Sequence, residues 1–141
     1  RVLFRSLAGE DGETFRDAPD LPAKWDTAAE YVALYPNVLF GVHRDHSFAI
    51  IIEPRGPERS VEHVALYYHH PGDTGPERAG LRARNTAQWK TVFEEDLFVV
   101  EGMQRGRHAA GFDGGRFSPV MDSPTHLFHQ WIARQFADVA A

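Results

Sequence analysis

Between residues 31 and 70, short runs rich in β-branched and aromatic residues alternate with turn signals. The runs are 31–34, 38–43, 47–53 and 61–70, and Tyr35-Pro36-Asn37, Arg44-Asp45-His46 and Pro54-Arg55-Gly56-Pro57 separate them. Short strands joined by tight turns predict an antiparallel meander. In the last run Val64, Leu66 and Tyr68 fall on one face, Ala65 and Tyr67 on the other, and Glu62 and His63 are likewise opposed. Bulk on both faces suits a sheet that covers a core or a pocket.

After residue 75 the apolar period changes from two to three and four. Gly75-Pro76-Glu77 can open a helical region, but Gly80 and Asn85 interrupt its first part, so the pattern predicts a helix over 86–104 with Gly106 as its stop. Trp89, Val92, Phe93, Val100 and Met103 form one apolar stripe at helical spacing. Asp96 falls on that stripe, one turn after Val92 and one before Val100, whereas Glu94, Glu95 and Glu101 can turn to water. A carboxylate in an apolar setting must be paired, bind a metal or take up a proton. Asp96 is therefore expected to have a partner, and spacing alone leaves a metal ligand and a buried ion pair, for instance to Arg107 or Arg116, equally open.

The flanking segments are less regular. Residues 1–20 read as a polar loop or lid with a short strand at 2–4, anchored by Phe4 and Phe15, and 21–25 read as a turn entering a strand or short helix through Glu30. Residues 109–121 hold three glycines and a proline, yet Phe112, Phe117 and Val120 predict a packed, ordered loop. Ser123 as N-cap and Pro124 at the first helical position then open a last helix whose apolar face is Phe128, Trp131, Ile132, Phe136 and Val139. A sheet with two helices laid on it makes an α+β domain.

Composition narrows the function classes. The 141 residues, 43% hydrophobic and 12% aromatic, suffice for one domain over 1–141 with a real core. A formal net charge of -5, with no basic cluster, argues against a nucleic-acid partner. With no cysteine the chain can hold no disulfide, thiolate zinc site, iron–sulfur cluster or cysteine nucleophile. No apolar run nears the roughly 20 residues of a membrane span and no signal-peptide pattern opens the chain, so the cytoplasm is the simplest compartment. The opening RVLFRSL, with Arg1 in place of Met, suggests a fragment or a processed chain.

The histidines favour structural roles. His43-x-x-His46 flanks a turn, His69 and His70 point to opposite strand faces, and His126 and His129 are neighbours on the last helix beside Trp131. The glycines from 111 to 115 lack the strand-before, helix-after setting and the Lys of a phosphate loop.

Several runs, taken in order, carry more information. Leu34-Tyr35-Pro36-Asn37-Val38-Leu39, then Pro54, then Glu95-Asp96 with Glu101 and Gln104-Arg105-Gly106, then Phe117-Ser118-Pro119, and last Phe128-His129-x-Trp131 resemble the C-terminal catalytic part of the α subunit of Rieske-type non-haem iron oxygenases. The resemblance runs from about Tyr31 to the C-terminus. It implies a helix-grip fold, an antiparallel sheet curled around a long C-terminal helix. It also implies one mononuclear Fe(II) held by two histidines and a carboxylate, with Asp96 as that carboxylate and catalytic residue. A facial triad of this kind leaves positions open for O2 and substrate. Pocket walls would come from the sheet, including Phe40, and from Val92, Phe93 and Val100.

The same resemblance implies a 2Fe-2S Rieske cluster in an N-terminal domain, a reductase or ferredoxin as electron donor, and a homotrimer. The reaction would be hydroxylation or oxidative demethylation of a small aromatic or methylated amine. The family's Cys-x-His and Cys-x-x-His motifs cannot lie in a chain without cysteine. Its Asp-x-x-His-x-x-x-x-His run is also missing and would lie upstream of Arg1, so this chain would supply one iron ligand of three and be inactive alone. The alternative is a stand-alone helix-grip module that binds a small molecule without catalysis.

Overall fold

The computed structural model describes Ser6, Ala8, Gly9 and residues 12–139. The strand expected at 2–4 and the anchor Phe4 lie outside the described residues. The chain divides into two compact units, residues 1–99 and residues 100–141.

The first unit is built on a four-stranded antiparallel meander: β1 (Glu30–Leu34), β2 (Val38–Val42), β3 (His46–Pro54) and β4 (Ser60–Tyr68), in the order β1-β2-β3-β4. The four strands expected between residues 31 and 70 are all present, with ends shifted by a residue or two. Asn37 explains the Pro-Asn run, because its side chain donates to the Ile52 carbonyl at 2.9 Å and its own carbonyl accepts from the Ile52 N–H at 2.9 Å. The first hairpin is thereby stitched to β3.

A long helix, α1 (Ala79–Arg107), follows two single 3-10 turns, Pro71–Asp73 and Pro76–Arg78. It starts seven residues before the sequence prediction, because tertiary contacts outweigh the roughly 1 kcal/mol that a helical glycine such as Gly80 costs. Leu81 is buried, the Arg82 guanidinium binds the Asp73 and Gly75 carbonyls at 2.8 and 2.7 Å, and Asn85 is buried with a partner on β4. The helix also runs through Gly106, ending in two tight turn bonds, His108 N–H to Arg105 and Ala109 N–H to Gly106.

On the sheet face beneath α1, Phe48 and Ile50 form the core with Trp89, joined by Ile52, Leu66, Val92 and Phe93. The N-terminal segment closes one end. Phe15 is fully buried against the Tyr68 ring at 4.4 Å, Glu13 pairs with Arg78, and the Arg16 N–H donates to Asp73 Oδ2 at 3.0 Å.

The apolar stripe on α1 is buried only over its first half. Leu97, Phe98 and Val99 are exposed, as are Val100 and Met103, so the stripe outruns the side chains that the sheet offers it. Asp96 lies in this exposed stretch, which corrects the expectation of a buried carboxylate.

In the second unit, α2 (Ser123–Val139) is the last helix. Its first intrahelical bond runs from the His126 N–H to the Asp122 carbonyl at 2.8 Å, which makes Asp122 the cap and moves Ser123 one place inside. Asp122 also accepts from the Ser118 N–H at 2.7 Å. Phe128, Trp131 and Ile132 are half-buried, whereas Phe136 and Val139 are exposed. The loop before α2 is not the packed segment expected, since Phe112, Phe117 and Val120 are exposed; Phe117 instead lies against His126 at 4.9 Å and His129 at 5.1 Å.

Two glycines separate packing from propensity. A methyl group at Gly41 would collide with the buried Phe48 ring, while at Gly102 the nearest atom is an Arg105 nitrogen 3.8 Å away. Gly41→Ala is expected to lower stability by about 1–3 kcal/mol. Gly102→Ala should raise it by up to about 1 kcal/mol. Urea denaturation of the two variants checks both signs.

Candidate functional site

The most tightly held side chains belong to a buried polar chain between the sheet and α1. The Trp89 indole N–H donates to His46 Nε2 at 2.7 Å, and His46 Nδ1 lies 2.8 Å from Asp45 Oδ1. The other Asp45 oxygen accepts from the Ser6 hydroxyl at 2.6 Å and from its backbone N–H at 3.1 Å. An indole only donates, so Nε2 must accept, and His46 is the neutral tautomer that donates from Nδ1 to the carboxylate. Both Asp45 and His46 have no accessible surface.

Burial by itself pushes the Asp45 carboxyl upward, but the bonds from His46 and Ser6 together outweigh it and hold the group below the ordinary aspartate range. His43 stacks on His46, ring centroids 4.8 Å apart and planes 11° from parallel. A second bond works beside the first: Tyr68, the register partner of His46 across β3 and β4, accepts from the Asn85 amide at 3.4 Å. Two neighbouring sheet residues thus hold two helix residues one turn apart.

Next to this chain a groove of about 290 Å³ runs between β4 and α1. Val64, Leu66, Trp89, Phe93 and Leu97 give it apolar walls, and Glu62, Thr86, Lys90 and Glu94 complete them. Lys90 and Glu94 form an ion pair at 3.6 Å. Of the residues expected to wall a pocket, Phe93 alone lines this groove. Val92 packs into the Phe48–Ile50–Trp89 core and Val100 is exposed. Phe40 lies on the opposite side of the sheet, because its register partner Ala49 alternates with the core residues Phe48 and Ile50.

Asp96 stands at the surface of α1, three residues after Phe93 and one before Leu97, and makes no ion pair among the described residues. Its carboxylate is a hard oxygen donor open to solvent, which fits the single-carboxylate share of a two-histidine, one-carboxylate iron set. Among the described residues no three His, Asp or Glu side chains converge to hold a metal ion. The buried ion pair considered for Asp96 has no basis, since an exposed carboxylate meets no desolvation cost that a partner must offset.

His69 and His70 take separate partners, whereas His126 and His129 share Phe117. His69 Nε2 lies 3.1 Å from the His43 carbonyl, and His70 Nδ1 accepts from the Gly72 N–H at 3.0 Å. What sequence reading missed is the Asp45–His46–Trp89 chain. Asp45 and His46 look like turn residues, and no local pattern ties them to a tryptophan 43 positions on.

Comparison with known proteins adds three findings. The model of the family described as ring hydroxylating alpha subunit (catalytic domain) matches residues 7–138. A chloroplastic choline monooxygenase of Arabidopsis thaliana is 27% identical over 124 residues, covering 88% of this chain and 26% of the relative, so the chain spans about a quarter of that protein's length. No solved structure matches.

Asp45 gives the fold an acid-sensitive joint. The folded state keeps its carboxyl ionised to lower pH than an unfolded chain does, so its contribution is complete above about pH 4 and is lost as pH falls through the lower folded-state value. Denaturant midpoints measured from pH 7 to pH 2.5 should drop in that acid window. Asp45→Asn should be less stable at pH 7 and show a shallower drop; equal slopes would refute the assignment.

Proposed function

Because the chain belongs to the ring-hydroxylating α-subunit catalytic-domain family, we propose that it is the distal part of an oxygenase catalytic domain in which Asp96 supplies the carboxylate ligand of one mononuclear Fe(II). The observation that carries this reading is the family match over residues 7–138 together with an exposed Asp96 carboxylate on α1 that makes no ion pair among the described residues. The two imidazole ligands would come from residues upstream of this chain. When bound, the iron would supply the activation of O2, with electrons delivered from a 2Fe-2S centre that a reductase or ferredoxin refills.

The contribution of this chain's own residues is orientation and shape. Phe93 and Leu97 sit on the groove wall within one helical turn of Asp96, so a substrate held in the groove would lie along the stretch of α1 that carries the carboxylate, although Asp96 itself does not line the groove. The stacked Trp89 and Phe93 rings, 5.4 Å apart, and the neighbouring Val64 and Leu66 suit a small apolar or aromatic body. The aromatic walls together with the Glu62 carboxylate also suit a methylated ammonium group. The relative named for choline supports the second class. Hydroxylation, or oxidative demethylation at a carbon attached to nitrogen, is the proposed reaction, carried out by a homotrimer of the full-length protein.

The groove also supports a second reading, a helix-grip module that binds a small molecule without chemistry. Iron content and O2-dependent turnover of the full-length protein with its reductase separate the two. Asp96→Ala is expected to lose at least about tenfold in iron occupancy and to lose turnover. Unchanged iron and turnover in the variant would sink the ligand assignment of Asp96, whereas a full-length protein with neither iron nor turnover would leave the binding-module reading.

A further inference from the structure

The apolar contact between α1 and the sheet is short and non-directional. It rests on Trp89, with Val92 and Phe93 beside it, against Phe48, Ile50, Ile52 and Leu66. Contacts of this kind set the distance between a helix and a sheet better than the rotation of the helix about its own axis. Rotation is set by directional bonds, and two of them join α1 to the strands: Trp89 to His46 at 2.7 Å and Asn85 to Tyr68 at 3.4 Å. His46 and Tyr68 are register partners. His46 is in turn immobilised through Asp45 by Ser6, so the grip ends on a fully buried anchor.

Asp96 lies seven residues after Trp89, about 10 Å further along the axis and within about 20° of the same side. We propose that His46 and Tyr68 are positioning residues that fix the rotation of α1, through Trp89 and Asn85, and so aim the Asp96 carboxylate. The proposal rests on the reading of Asp96 as an iron ligand. A carboxylate roughly 6 Å off the axis swings by about 2 Å when the helix turns by about 20°. Metal–ligand distances tolerate only about 0.2 Å. Loosening the grip therefore costs metal affinity well before it unfolds the helix.

The test uses the natural full-length protein. Fe(II) dissociation constants are measured by anaerobic titration for Trp89→Phe, which keeps an aromatic ring and removes the N–H, and for Tyr68→Phe, which removes only the hydroxyl. Ile50→Val, a core truncation that touches neither bond, serves as the stability control, and Asp96→Ala as the ligand control. Amide exchange over residues 92–99 is followed in parallel.

Trp89→Phe is expected to weaken Fe(II) binding by about 10- to 100-fold, the range for groups that orient a metal ligand. Tyr68→Phe should shift it in the same direction, exchange over 92–99 should quicken in both, and Ile50→Val should stay within about twofold of the unmodified protein in affinity. If both phenylalanine variants bind Fe(II) like the unmodified protein while Asp96→Ala loses it, the positioning role is overturned and the ligand reading stands. If Asp96→Ala also binds normally, the ligand reading falls, and the positioning role with it.

Discussion

The bond from the Trp89 indole to His46 is the constraint on which the first unit depends. It joins helix to sheet at the centre of the core, and it can exist only because Asp45 fixes the proton of His46 on the other nitrogen. A buried carboxylate is costly unless its lone pairs are met. Here Ser6 and His46 meet them, so ionisation of Asp45 is compatible with complete burial. The result is a directional joint inside an otherwise greasy interface, tying the N-terminal segment, the β2–β3 turn and α1 to one another.

That joint divides α1 into two stretches of different character. The first carries Leu81, Asn85 and Trp89 inward and is held by carbonyl, hydroxyl and imidazole partners. The second, from Glu94 onward, presents carboxylates and apolar side chains alike to solvent. A stripe at constant helical spacing thus covers a core in one half and a surface in the other. The carboxylate that the family would assign to iron lies in the open half, next to a groove whose far wall is β4.

The strands were legible because alternation and turn chemistry are local. Tyr35-Pro36-Asn37 and Pro54-Arg55-Gly56-Pro57 bracket their strands whatever surrounds them, and the observed ends differ by one or two residues. The onset of α1 was not legible, since Gly80 and Asn85 disfavour a helix by propensity and are overridden by bonds to Tyr68 and to the loop carbonyls. Of the residues expected to wall a pocket, Phe93 alone lines the groove beside α1. Phe40 was misplaced because assigning a face needs the register with β3, and Val92 and Val100 because helical spacing fixes a side of the helix without saying where its cover ends.

Sequence alone therefore determined the order and type of the elements, the α+β class, the exclusion of cysteine chemistry, and the run of residues that resembles an oxygenase catalytic domain. Only the tertiary structure decided that Asp96 is exposed, that Phe40 faces away from the helix, and that Asp45 and His46, which read as turn residues, form the buried anchor of α1. The physical reason is range. Periodicity and turn preference act over a few residues, whereas burial and hydrogen-bond partnership are set by groups that meet across the fold, as Trp89 meets His46 from 43 residues away.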